Sequence, residues 1–310
     1  MRNLLSLRET SVEEIRQVLE TAAAFEEILS RSVKKVPTLR GRAVITLFYE
    51  NSTRTRTSFE MAAKIMSAEA INISVAQSSV AKGECLKDTL LTLQSLKADC
   101  VVMRHSASGA AQFAADHLAI PVINAGDGRH EHPTQALLDL LTIRKNSEKI
   151  EGLQIAIVGD ILHSRVARSN IWGLTKMGAS VRLVAPRTLL PPDVDRLPVE
   201  STDDLRAGLD GADVVIVLRL QTERMDKGML PSLREYSRLF GITAGSLRGA
   251  APDVLVMHPG PINRGVEISA EVADGASGIR SVIGEQVTNG VAIRMAVLYL
   301  LMGPSGAQVD

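Results

Sequence analysis

Ala43-Val44-Ile45-Thr46-Leu47-Phe48 leads, past Tyr49, into Glu50-Asn51-Ser52-Thr53-Arg54-Thr55-Arg56-Thr57-Ser58. The first run is apolar and rich in residues that favour strands. Beyond the polar stretch, apolar residues at 59, 62, 63, 65 and 66 give Phe59 to Ser67 the spacing of a helix. A strand that ends in a hydroxyl-rich turn and opens into a helix points backbone N–H groups outward at the positive end of the helix dipole. Such an end binds anions, phosphate foremost. Arg54 and Arg56, with Ser52, Thr53, Thr55 and Thr57, add charged and neutral donors. A single Ser-Thr pair before a helix would read as an ordinary N-cap. The density of donors here favours an anion cradle.

The same β-then-α alternation continues outward from this stretch. Thr10 to Glu14 opens a capped helix running to about Ser30. Strands are expected at 70–75, 100–103 and 121–124, with helices at 85–97, 109–117 and 133–145, the last opening on Pro133. Asn146-Ser147-Glu148-Lys149 is a polar break. A second series follows, with strands at 153–158, 180–185, 213–218 and 254–257 and helices at 165–177, 201–208 and 229–240. Glu285 to Leu301 reads as a long apolar helix returning to brace the first half. The expected fold is α/β, two doubly wound parallel-sheet domains linked by helices. The expected boundaries are 1–148 together with a C-terminal helix at 286–310, and 149–285.

Composition narrows the function classes. The chain has 310 residues, 45% of them apolar, with 35 basic and 35 acidic side chains and no long basic run. That balance and a 3% aromatic content argue against a nucleic-acid partner. Positive charge must be gathered locally, in sites. Cys85 and Cys100 cannot form a disulfide framework or a four-thiolate metal site, and they suit a reducing cytosol. The start of the chain carries no signal-peptide core, and no stretch reaches the roughly 18 apolar residues of a membrane span. A soluble, cytoplasmic protein is expected.

In an open parallel sheet, ligands sit beyond the carboxyl ends of the strands. The residues at those ends are Ser52–Thr55, Ser78 and Lys82, Arg104, and His132 with Gln135 in the first half. In the second half they are Asp160 to Arg165 and Arg168, Arg219 with Gln221, and His258-Pro259-Gly260-Pro261. Cations and hydrogen-bonding groups dominate, and carboxylates are scarce, so a small, highly anionic ligand set is expected. His130-Glu131-His132 with Asp127 lacks a third ligand at convincing spacing, so no metal is expected. After Gly159-Asp160, the residues Ile161, His163 and Ser164 stand where a dinucleotide turn needs glycines, so no nucleotide cofactor is expected. His132 just before a helix and Gln135 on its first turn can meet a carbonyl and an amide. Arg165 reads either as a carboxylate ligand or as a helix-surface arginine. Arg219 and Gln221 share a side if their strand continues through them, and a guanidinium fork suits a carboxylate. The Pro259-Gly260-Pro261 turn exposes carbonyls that can accept from a substrate amide. Lys82, on a loop, matters only if that loop reaches a site.

Ser52-Thr53-Arg54-Thr55, His132-Pro133-Thr134-Gln135 and Met257-His258-Pro259-Gly260-Pro261-Ile262-Asn263-Arg264-Gly265 occur in one order along the chain. In that order and spacing the chain resembles the aspartate/ornithine carbamoyltransferases over essentially its whole length. The resemblance implies a carbamoyl-phosphate domain, an aspartate domain and two linking helices. It also implies a catalytic homotrimer whose sites each borrow a loop from a neighbouring subunit. Transfer of the carbamoyl group of carbamoyl phosphate to the amine of L-aspartate, in pyrimidine biosynthesis, is the implied activity. No cofactor is implied. Carried onto this chain, Ser52, Thr53, Arg54, Thr55 and Arg104 hold phosphate, and Thr55, Arg104 and His132 meet the carbamoyl oxygen. Gln135 and the carbonyls of Pro259 and Gly260 hold its NH₂. Arg165, Arg219 and Gln221 bind aspartate, and Ser78 and Lys82 are donated across the interface, Lys82 to the aspartate side. The His258-Pro259-Gly260-Pro261 turn differs from the His-Cys-Leu-Pro turn usual in the ornithine enzymes, and with Arg165 and Arg219 it favours aspartate. Ala81 stands where some relatives have a second lysine, and Cys85 where threonine is frequent. The resemblance leaves open a separate regulatory chain or a dihydroorotase as partner.

Overall fold

The structure is a computed structural model that describes residues 1–74, 83–225 and 228–303. In chain order its first elements are α1 (Val12–Ser30), β1 (Ala43–Phe48), α2 (Thr53–Ile65), β2 (Glu69–Ser74), α3 (Leu86–Ser95), β3 (Cys100–His105), α4 (Ala110–His117), β4 (Val122–Asp127) and α5 (Pro133–Asn146). There follow β5 (Gln154–Val158), α6 (Arg165–Lys176), β6 (Ser180–Val184), β7 (Glu200–Thr202), α7 (Leu205–Leu209), β8 (Val214–Val217) and α8 (Leu233–Phe240). The chain ends with β9 (Leu255–Met257), α9 (Ala270–Ala273), β10 (Arg280–Ser281) and α10 (Ile283–Met302). Two compact units result, Met1–Leu138 with Thr288–Asp310, and Asp139–Val287. The division falls inside α5 and inside α10, so each of these helices starts in one unit and ends in the other.

The first unit is a parallel sheet in the order β2-β1-β3-β4. Every residue of β1 after Ala43 is buried, as expected of a central parallel strand covered on both faces. Ile45 and Leu47 pack with Leu90, Leu93, Val101, Met103 and Ala114. At the start of α1, Ser11 accepts from Glu14 N while Glu14 reaches back to Ser11 N, a complete capping box. From the far end of the chain, α10 brings Arg294 over the Phe59 ring, 5.1 Å from its centroid. It also sets Tyr299 edge-on to Phe25, with centroids 5.7 Å apart. The C-terminal helix therefore packs on both α1 and α2.

The second unit is a parallel sheet in the order β10-β9-β8-β5-β6-β7. Its core joins Ala156, Val158, Val184, Val215, Val217 and Val256 to Ile242, Leu247 and Ile268.

Three expectations are corrected. The hydroxyl-rich stretch is not a turn ahead of a helix at Phe59, because α2 already begins at Thr53. The helix expected at 201–208 is a strand and a shorter helix. Glu200–Thr202 pair with Arg182–Val184, and Asp204 caps α7 by accepting from the Arg206 and Ala207 N–H groups at 2.8 and 3.2 Å. The strand expected at 213–218 ends at Val217, so the condition that would have put Arg219 and Gln221 on one side of it is not met. Leu218 N still reaches the Val158 carbonyl, but Arg224 N then closes a 3₁₀ turn on the Gln221 carbonyl, and the chain leaves the ladder.

Candidate active site

Within the first unit the chain runs from β1 to β2 on one side, then places β3 and β4 on the other. The order reverses between β1 and β3, and in doubly wound sheets the crevice beyond that reversal is where ligands bind. Ser52–Thr55 follow β1, and Arg104 lies opposite Phe48 near the end of β3. The topology therefore brings the anion cradle and Arg104 together from positions some fifty residues apart.

Ser52 occupies the N-cap of α2 with extended backbone, but its side chain makes no capping hydrogen bond. Ser11 and Ser164 do cap their own helices. The ordinary explanation for a serine at this position thus fails, and the first turn of α2 keeps its donor character. Thr53 and Arg54 are exposed, while Thr55 is buried beneath them. The Arg104 Nε lies 3.4 Å from Glu50 Oε2, and Nη1 donates to the Ala125 carbonyl at 3.3 Å. His105, next along, lies tilted against the Tyr49 ring with centroids 4.5 Å apart, and burial lowers its pKa.

His132 and Gln135 are both buried at the start of α5, where the His132 carbonyl accepts from Gln135 N at 2.9 Å. Their approach is fixed by a buried polar network. Glu131 accepts from the N–H groups of Leu7 and Arg8 at 2.7 and 3.2 Å. Asp127 accepts from Asn124 and from Gly109 N, and lies 3.1 Å from His130 Nδ1. Burial alone would raise the Asp127 pKa, but these hydrogen bonds outweigh it and hold the pKa below the usual value. Glu131, Asp127 and His130, three of the side chains considered for a metal, are thus engaged in the scaffold. Among the described residues no cluster of three or more His, Cys, Asp or Glu is arranged to hold an ion.

In the second unit the strand order reverses between β5 and β8. Asp160 to Arg165 follow β5, and Arg219 and Gln221 follow β8, so this switch point also collects the expected residues. Gly159 makes the turn possible. Its φ of +129° suits glycine, and a Cβ there would stand 2.9 Å from the Leu218 carbonyl. Asp160 then accepts from His163 N and faces His163 Nδ1 at 2.8 Å. Burial raises the Asp160 pKa, against the opposing pull of the His163 hydrogen bonds. Ser164 caps α6 by accepting from Ala167 N, which sets Arg165 at the first helical position, where it is buried rather than on the helix surface. Arg219 is paired with Glu223, and Gln221 Nε2 donates to the His163 carbonyl at 3.2 Å. Pro259 and Gly260 follow β9, which lies beyond β8 in the sheet.

The rims are less free of carboxylates than expected. Glu50 sits on Arg104 and Glu223 on Arg219, and sequence reasoning assigned neither a role. The i,i+4 spacing of Arg219 and Glu223 was a readable signal. The Glu50–Arg104 pair carried none, since only the sheet brings them close. Ser78 and Lys82 lie outside the described residues. Among the described residues no helix is long and apolar enough to cross a membrane.

Two parallel-sheet units that gather arginines and hydroxyls at their own switch points define an α/β protein built to handle small anions. Residues 2–145 match the model of the aspartate/ornithine carbamoyltransferase carbamoyl-P binding domain, and residues 151–301 that of the family's Asp/Orn binding domain. The chain belongs to the aspartate/ornithine carbamoyltransferase family. It is 58% identical, over 97% of both chains, to the aspartate carbamoyltransferase catalytic subunit of Pelotomaculum thermopropionicum. To the Desulforamulus reducens catalytic subunit it is 59% identical over 97% of this chain and 96% of that one. Among solved structures, aspartate transcarbamoylase from Trypanosoma cruzi in complex with carbamoyl phosphate and aspartate matches with a TM-score of 0.88 at 32% identity, covering 97% of each chain. Ornithine carbamoyltransferase from Pyrococcus furiosus matches with a TM-score of 0.87 at 28% identity, covering 98% of this chain and 97% of that one.

Proposed function

We propose that this chain transfers the carbamoyl group of carbamoyl phosphate to the amine of L-aspartate, giving N-carbamoyl-L-aspartate and phosphate. The observation that carries the reading is the placement of two sets of arginines and hydrogen-bonding side chains, each at the switch point of its own sheet. One is Ser52–Thr55 with Arg104, the other Arg165 with Arg219 and Gln221. The high identity to aspartate carbamoyltransferase catalytic subunits supports aspartate as acceptor. Residues 1–148 with 286–310 serve as the carbamoyl-phosphate domain, and residues 149–285 as the aspartate domain.

Ser52, Thr53, Arg54, Thr55 and Arg104 hold the phosphate. Thr55, Arg104 and His132 take the carbamoyl oxygen, and Gln135 with the Pro259 and Gly260 carbonyls takes its NH₂. Arg165, Arg219, Gln221 and Lys82 hold the aspartate carboxylates. The amine attacks the carbamoyl carbon, the carbonyl oxygen gains negative charge in a tetrahedral intermediate, and the C–O bond to phosphate breaks. Departing phosphate is basic enough to accept the proton that the amine sheds. The protein contributes chiefly position and preorganised positive charge. Ser78 and Lys82 come from a neighbouring subunit of a homotrimer. The work belongs to pyrimidine synthesis in the cytoplasm.

Purified chain supplied with carbamoyl phosphate and a panel of amines tests this reading. Carbamoyl-aspartate should dominate, and N-phosphonacetyl-L-aspartate, seen bound in the Trypanosoma cruzi relative, should block it. Equal or faster turnover of ornithine overturns the choice of acceptor, and no carbamoyl transfer at all overturns the reaction.

A further inference from the structure

The turn after β9 is held by a buried acid–imidazole pair that the transfer chemistry does not use. The side chains of His258 and Glu267 are both fully buried, with His258 Nε2 3.3 Å from Glu267 Oε1. On its other nitrogen, His258 Nδ1 accepts from Gly260 N at 2.8 Å. Glu267 Oε1 also accepts from Asn263 N at 2.5 Å. One imidazole–carboxylate unit therefore grips the chain inside the turn, at Gly260, and beyond it, at Asn263. The root of the turn is fixed separately. His258 N donates to Gln286 Oε1 at 2.9 Å, and Gln286 Nε2 donates to Asp139 Oδ1 at 2.7 Å. Gly260 itself sits at φ +64°, a region that glycine enters freely and few other residues adopt.

An imidazole nitrogen that accepts a hydrogen bond carries no proton, so a neutral His258 must bear its proton on Nε2, which faces Glu267. We propose that His258 and Glu267 form a positioning pair. The carboxylate 3.3 Å from Nε2 favours the Nε2–H tautomer by its charge, that tautomer leaves Nδ1 an acceptor, and the acceptor orients the Gly260 peptide. With it are set the Pro259 and Gly260 carbonyls that receive the carbamoyl NH₂. The pair acts through the turn and touches no substrate. The inference rests on the carbamoyl-transfer reading for its consequence, but not for its structural half.

Two substitutions separate positioning from simple packing. His258→Asn keeps an acceptor near the Nδ1 position, while His258→Leu keeps bulk and loses the acceptor. A displacement of about 1 Å in a positioned group costs on the order of 100-fold. His258→Leu should lose about that much in kcat/KM for carbamoyl phosphate, and His258→Asn should stay within about 10-fold of the parent. Equal losses in the two variants, or losses that simply follow their melting temperatures, overturn the proposal. The tautomer is read independently, in the parent protein, by long-range proton–nitrogen NMR with ¹⁵N-histidine, the His258 signal being identified by its disappearance in His258→Asn. Nε2-protonated neutral imidazole is expected, and imidazolium or the Nδ1–H form overturns the proposal. A parent chain that shows the expected tautomer yet makes no carbamoyl-aspartate would instead sink the reaction assigned above.

Discussion

Arg104 and Glu50 form an ion pair across the switch point of the first sheet, Nε to Oε2 at 3.4 Å, with both side chains largely shielded from solvent. The same guanidinium donates to the Ala125 carbonyl. A planar group with several fixed donors can hold these partners and still present an edge to a ligand, whereas an ammonium cannot. Arg104→Lys keeps the charge and loses the fork. It should lower kcat/KM for carbamoyl phosphate by about 100-fold, a cost in the range of one lost charge-stabilising donor. Steady-state kinetics with carbamoyl phosphate varied measure this, and parent-like values would remove Arg104 from the site.

Arg54 is exposed on the first turn of α2 and makes no contribution to the core. Arg54→Ala should therefore leave stability within about 0.5 kcal/mol of the parent. Its turnover should nevertheless fall on the order of 100–1000-fold. Urea melts alongside initial rates separate the two effects, and near-normal turnover would dismantle the phosphate cradle as described.

Sharing of sites in a homotrimer has its own signature. Arg54→Ala and Lys82→Ala chains, each inactive alone, should regain activity when mixed and allowed to exchange, because some hybrid sites carry neither lesion. Mixed trimers verified by native mass spectrometry that stay inactive would mean each site is built within one chain.

Gly159→Ala should destabilise the second unit by about 1–3 kcal/mol, from the cost of a positive φ and the clash with the Leu218 carbonyl. The shift in urea midpoint measures it. An unchanged midpoint would show that the β5 turn relaxes without cost.

Asp127 links pH to stability in the first unit. Its folded pKa lies below the ordinary aspartate value, so the folded state favours the carboxylate. That stabilisation is present above the unfolded pKa, about 3.9, and is lost as pH falls through the lower folded value. Asp127→Asn should thus cost stability at pH 7, and the gap from the parent should narrow below about pH 4. Denaturant midpoints at pH 7 and pH 3 make the comparison. A gap that widens in acid would reverse the sign.

Much of this protein was legible along the chain. Parallel strands buried on both faces must be nearly continuous apolar runs, so β1, β3, β5 and β8 stood out from their flanks. Caps and Pro133 marked the starts of α1 and α5, and the hydroxyl and arginine density at 52–57 marked a candidate anion site, because these are local consequences of backbone hydrogen-bond accounting. Short edge strands such as β7 escaped, since three residues carry too little periodicity to separate from a neighbouring helix.

What the tertiary structure alone decided was pairing across distance. Strand order sets which ends adjoin, and it placed Arg104 beside Ser52–Thr55 and Arg219 on the same switch point as Arg165. It also put Glu50 against Arg104, where a carboxylate becomes a constraint on its partner instead of a solvated charge. Local sequence specifies propensities, caps and burial, which depend on residues a few positions apart. A buried charge meets its partner only after the sheet has ordered its strands, and no spacing along the chain encodes that meeting.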